Sequence, residues 1–244
     1  MPTFWIALGL SLLGGLGGLL IASGVLLIHD PLRSKLIPGL VSYAVGALLG
    51  ISMMGLLPES LNNLPAARVF ATLLGGIMLF FVLEKLVLWR HCHTHDCEVH
   101  ESSVASVMIG DTFHNFVDGA VIGAAVLTSI PLGVSTAIAV AAHEIPQEIG
   151  DFAILLHAGY SREKALMLNV LSALASVAGA LGAFLAFDIV PRTLPYFLVI
   201  AASSFLYVAM ADLIPGLHRG RTDASSLRQI VLIALGIATM VWFS

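Results

Sequence analysis

Two short stretches hold most of the side chains able to do chemistry. The first is HNFVDGAVIG, residues 114–123, with His114, Asn115 and Asp118. The second is HEIPQEIGDF, residues 143–152, with His143, Glu144, Gln147, Glu148 and Asp151. Both are embedded in long apolar runs, where unpartnered polar groups are costly. Imidazole nitrogens beside carboxylate and amide oxygens form a donor set for a divalent cation such as zinc, iron, manganese, cobalt or cadmium. A cation also offsets the several kcal/mol that each buried charge costs at mid-membrane. HEIPQ is not the HExxH protease motif, because position 147 is Gln.

On helices these residues form stripes. At about 100° per residue, Asp118 lies about 40° from His114 and Asn115 about 100°, with Asp111 between them. On the second stretch Gln147 lies about 40° from His143, Asp151 about 80° and Glu144 about 100°. Each helix thus has one polar stripe and an apolar remainder. The turn SIP, 129–131, joins two antiparallel neighbours whose stripes can face each other. Pro146 removes one backbone bond and frees a carbonyl near Ala142.

The elements that carry these stripes are membrane helices. Of 244 residues 58% are hydrophobic and 11% charged, and the mean hydropathy is +0.98. Soluble domains carry about 25% charge. The net charge of −4 is therefore uninformative about partners, and nothing suggests nucleic acid. A spanning helix needs about 20 apolar residues. Eight candidate spans follow, roughly 3–28, 36–60, 66–89, 103–129, 131–157, 163–188, 193–215 and 227–244. The apolar runs are too long, and alternate too little, for strands. The first run has no basic residue before it and reads as a retained helix.

Basic residues orient the chain. One side carries Arg68 and Arg192. The other carries Arg33, Lys35, Lys85, Arg90, Arg162, Lys164, Arg219, Arg221 and Arg228. Both termini are then outside and the loop at about 90–102 is cytoplasmic. That loop contains HCHTHDCEVH, residues 91–100, dense in metal ligands. Thiols stay reduced on that side, so Cys92 and Cys97 read as ligands rather than a disulfide.

A faint repeat is also present. MMGLLPESL, 53–61, and MADLIPGLH, 210–218, align Pro58 with Pro215 on oppositely directed spans, as an inverted repeat would. Glu148 and Asp151 extend the stripe toward the cytoplasm, as an exit path, a proton relay or structural bonds to Asn169 and Ser172. Met53, Met54 and Met210 read as an entry lining or as packing. Glu84 reads as a snorkelling residue at an inner helix end.

HNFVDG followed by HEIPQEIGDF resembles the ZIP (Zrt/Irt-like) family of divalent metal transporters, most of all the branch that reads HExPHExGD. The resemblance implies an all-α integral membrane protein of eight helices. They would lie in a 3+2+3 arrangement with an inverted repeat, helices 4 and 5 central, as one domain over 1–244. It implies divalent metal, zinc foremost, as transported substrate, with transport toward the cytoplasm and no organic cofactor. A homodimer and a bacterial inner (plasma) membrane are further expectations. Carried onto this chain, His114, Asp118, His143 and the Gln147 position would form one metal position, and Asn115, Asp118 and Glu144 a second. Gln147 departs from the branch, which has His there. The expectation is one well-held ion on His114, Asp118, His143 and Glu144, with a weak second position. The competing readings are a membrane-embedded zinc hydrolase, with Glu144 as base, and a metal sensor without flux.

Overall fold

The computed structural model describes residues 2–91, 101–218 and 224–243. The ligand-dense stretch 92–100, with Cys92 and Cys97, and the basic residues Arg219 and Arg221 lie outside the described residues. Among the described residues there is no strand. The chain runs α1 (Pro2–Leu26), α2 (Asp30–Gly50), α3 (Leu57–Asn63), α4 (Ala66–His91), α5 (Glu101–Thr128) and α6 (Ile130–His157). Then follow α7 (Arg162–Ala173), α8 (Ala175–Ile189), α9 (Leu194–Tyr207), α10 (Ile214–His218) and α11 (Ala224–Phe243).

Three interruptions account for eleven helices where eight spans were expected. α2 and α3 are joined by a π-helical turn, Ile51–Leu56, and α9 and α10 by another, Val208–Leu213. α7 and α8 break at Leu174, beside Ser176, whose hydroxyl donates to the Ala173 carbonyl at 2.7 Å. Counted across these interruptions, six helices among the described residues are long and apolar enough to cross a membrane, by length and composition. α5 and α6 are not among these six. They carry the two polar stripes, which lower their hydropathy, and the fold buries those stripes.

Local chemistry sets the boundaries. Ser129 is the whole linker between α5 and α6. Its hydroxyl accepts from the Leu132 amide at 3.2 Å and caps α6, with Pro131 in the first turn. Ser161 caps α7 in the same way, accepting from the Lys164 amide at 3.2 Å. Pro146 stays inside an unbroken α6.

The packing has a two-fold logic. α1 packs along α6 and α8 along α5, while α2 packs on α11 and α4 on α9. α1 runs parallel to α6, since Gly14 lies by Val140 and Gly18 by Glu144. α8 runs parallel to α5, since Gly119 lies by Ser176 and Gly123 by Ala180. α5 and α6 are antiparallel across Ser129, so α1 and α8 point in opposite directions. The π turns add a second correspondence. Ile51 and Val208, Leu56 and Leu213, and Pro58 and Pro215 are all 157 residues apart, so both turns fall at one register of the faint repeat. Met53 and Met210 are also equivalent, and both are exposed, at 50% and 62%, which removes the packing reading for them within this chain.

Close helix contact depends on absent side chains. A Cβ on Gly119 would sit 1.7 Å from the Ser176 carbonyl oxygen, and one on Gly179 1.8 Å from that of Phe116. Small residues at such crossings let backbones approach where the bilayer gives no hydrophobic drive. This contact holds α5, and with it His114 and Asp118, against α8.

Candidate metal centre

α5 and α6 bring the two stripes together. His114, Asp118, His143 and Glu144 each direct one ligand atom into a group whose members all lie within 4.8 Å of one another. His114 Nε2 stands 3.1 Å from His143 Nε2. Asp118 Oδ2 approaches His143 Nε2 at 2.9 Å and His114 Nε2 at 3.7 Å. Glu144 Oε1 is 3.6 Å from each of the two Nε2 atoms. Asp118, His143 and Glu144 are buried, and His114 is half-buried, which leaves one edge of the group accessible.

The histidine geometry favours a cation between these atoms. His143 Nδ1 lies 3.1 Å from the Ala139 carbonyl, which can only accept, so Nδ1 carries the proton of that bond. In the neutral ring this leaves the Nε2 lone pair facing Asp118, His114 and Glu144. Such outer bonds orient metal-binding histidines. Both oxygens of Asp118 and both of Glu144 are buried without a hydrogen-bond donor. No Lys or Arg pairs with them among the described residues. Room for Glu144 comes from α1, where a Cβ on Gly18 would come within 2.8 Å of the Glu144 Cβ.

The two remaining expected ligands are placed differently. Asn115 is buried, and its Nδ2 donates to Asp111 Oδ1 at 3.1 Å. Gln147 Nε2 donates to the same oxygen at 3.2 Å. Both amides thus converge on Asp111. Glu148 and Asp151 are buried, and the structural bonds considered for them are not made. Ser172 donates to Thr112 at 3.2 Å instead, and Asn169 has no partner. Glu84 is exposed and accepts a hydrogen bond from the Tyr207 hydroxyl rather than standing alone.

Asp212 was missed. It sits in the second π turn, close enough to His114 and Glu84 for their charges to act on it. It lies within MADLIPGLH, so the repeat itself marked the segment, but an exposed acid near a helix end resembles an ordinary surface residue.

A bundle of membrane-type helices around a buried His/Asp/Glu cluster defines a multi-pass membrane protein with a cluster that could hold a metal ion. The chain belongs to the ZIP zinc transporter family, whose model matches residues 90–244. That is a family of transporters rather than enzymes. The chain is similar to zinc transporter ZIP13 of Pongo abelii, 33% identical over 222 residues, covering 84% of this chain and 66% of that protein. It is also similar to zinc transporter ZIP4 of Rattus norvegicus, 43% identical, covering 74% of this chain and 38% of that protein. Zinc transporter ZIP10 of Danio rerio is 40% identical over 52% of this chain and 16% of its own length. The chain thus spans two-thirds or less of these relatives.

Proposed function

We propose that this protein carries a divalent metal ion, zinc foremost, across a membrane toward the cytoplasm. The observation that carries the reading is the buried four-ligand cluster on the antiparallel pair α5 and α6. His114, Asp118, His143 and Glu144 supply two neutral nitrogens and two carboxylates, a set suited to one zinc-like dication. The formal −2 of the carboxylates matches the ion's charge. Asn115 and Gln147 act one step removed, by fixing Asp111. Iron, manganese and cadmium fit the same donors less selectively.

In this reading α5 and α6 also cross the membrane, giving eight crossings in one domain over 1–244. Both termini lie outside and the ligand-dense loop at about 90–102 lies in the cytoplasm. The basic-residue asymmetry supports the orientation. The opposed directions of α1 and α8 and the matched π turns support an inverted repeat about the α5–α6 pair, a construction that suits alternating access. The exposed edge of His114 gives the ion a way in or out.

Zinc uptake into proteoliposomes tests the proposal. Wild-type protein is expected to fill vesicles with zinc, and His143→Ala protein to leave them near background. Binding without uptake supports the sensor reading, and hydrolytic turnover without uptake supports the enzyme reading.

A further inference from the structure

We propose that Asp111, Asn115, Glu148, Asp151 and Asn169 form a second cation station, built from oxygen alone, on the cytoplasmic side of the histidine cluster. The inference rests on the transport reading, which supplies the reason for an ion to pass there.

Burial and missing partners are the starting point. Glu148 and Asn115 are 1% exposed and Asn169 is 0%. Asp111 and Asp151 are buried as well. Asp111 Oδ2, Asn115 Oδ1, both Glu148 oxygens, Asp151 Oδ2 and both amide atoms of Asn169 have no hydrogen-bond partner. Three carboxylates in an apolar interior with no Lys or Arg against them, among the described residues, are costly unless they take up protons or a cation joins them.

The helices bring these groups to one place. Gln147 of α6 and Asn115 of α5 both hold Asp111 Oδ1, which ties the two helices at that level and leaves Oδ2 free. Glu148 follows Gln147, and Asp151 lies one turn further along α6. The charges of Asp111 and Asp151 act on Glu148. α7 closes the third side. Ser172 donates to Thr112, next to Asp111, at 3.2 Å. Asn169 is about one turn earlier on α7, which runs parallel to α5, so it lies about one turn to the cytoplasmic side of the Ser172–Thr112 contact, at the level of α6 between Glu148 and Asp151.

The donor chemistry differs from that of the histidine cluster. No imidazole or thiolate belongs to this group. Oxygen-only sets suit magnesium, calcium and manganese and hold zinc less tightly than nitrogen does. The three carboxylates are also less tightly gathered, since among the described residues only the histidine cluster has three or more such ligands within 4.8 Å. Water then completes the shell. The station therefore holds a transported ion less tightly than His114 and His143 do, so an ion that reaches it dissociates toward the cytoplasm more readily.

Manganese binding to the purified full chain, followed by electron paramagnetic resonance, tests the station. His143→Ala protein is expected to keep a manganese ion that adding Glu148→Gln removes. Comparing variants cancels ions held by the loop at 91–100. Asn169→Asp adds a carboxylate and is expected to tighten manganese binding by about tenfold or more. That gain guards against reading misfolding as loss of a site. The station is overturned if Glu148→Gln removes no manganese from the His143→Ala protein, or if Asn169→Asp leaves the affinity unchanged. These are equilibrium measurements, so absence of zinc flux in vesicles would count against the transport reading alone.

Discussion

Gln147→Glu replaces a hydrogen-bond donor by a charge at a known separation. Gln147 Nε2 lies 3.2 Å from Asp111 Oδ1 and donates to it. A glutamate in the same rotamer puts one carboxylate oxygen at about that distance from Asp111 Oδ1. At an effective dielectric of about 20, two like charges 3.2 Å apart repel by about 5 kcal/mol. The lost charge-assisted bond adds about 1.5–3 kcal/mol. Side-chain relaxation relieves part of this, and we expect at least about 2 kcal/mol of destabilisation in chelator. A divalent ion between the two carboxylates turns the repulsion into a binding site. At a hundred times the dissociation constant, one added ion returns about 2.7 kcal/mol. Thermal unfolding of the detergent-purified variant should therefore fall below wild type in EDTA and recover with zinc. Metal counting at micromolar zinc should give one more ion per chain than wild type. The electrostatic argument is refuted if the variant unfolds at the wild-type temperature in EDTA and binds no extra metal. Two tightly held ions in the unmutated cluster would also contradict it.

Three further outcomes are expected. Asp118→Ala removes one of the four ligand atoms of the cluster and should reduce vesicle uptake to background while the protein still inserts. Uptake near the wild-type rate at saturating zinc counts against the cluster. Deleting residues 91–100 should lower the number of zinc ions bound per chain but keep uptake within a few-fold, so complete loss of transport with normal expression would assign the loop an essential role. Gly119→Ala or Gly179→Ala should cost about 3 kcal/mol or more by forcing α5 and α8 apart, whereas Gly17→Ala, with nothing within 4 Å of its Cβ, should leave the unfolding temperature unchanged.

Much of this architecture could be read without coordinates. Apolar runs of membrane length separated by proline, glycine and charge left few alternatives to helices, because a bilayer admits little else. The 3.6-residue period placed His114 with Asp118 and His143 with Gln147 on single stripes, and the short SIP turn made the two helices antiparallel neighbours whose stripes can face each other. Side-chain chemistry marked the candidate donors but not which of them would gather, since Asn115 and Gln147 turn to Asp111. The tertiary structure decided what helical phase leaves open. Phase fixes the direction in which Gln147 leaves the α6 backbone, but its amide lies between the cluster and Asp111, and Asp111, on another helix, captures it. Asp212 comes within reach of the His114 charge only because the fold sets the second π turn against α2 and α9. The equivalence of the two halves rested on a short motif until helix directions and the common register of the π turns supported it. Partner choice between helices depends on where backbones can touch, as at Gly119 and Gly179, and that follows from three-dimensional shape rather than from local pattern.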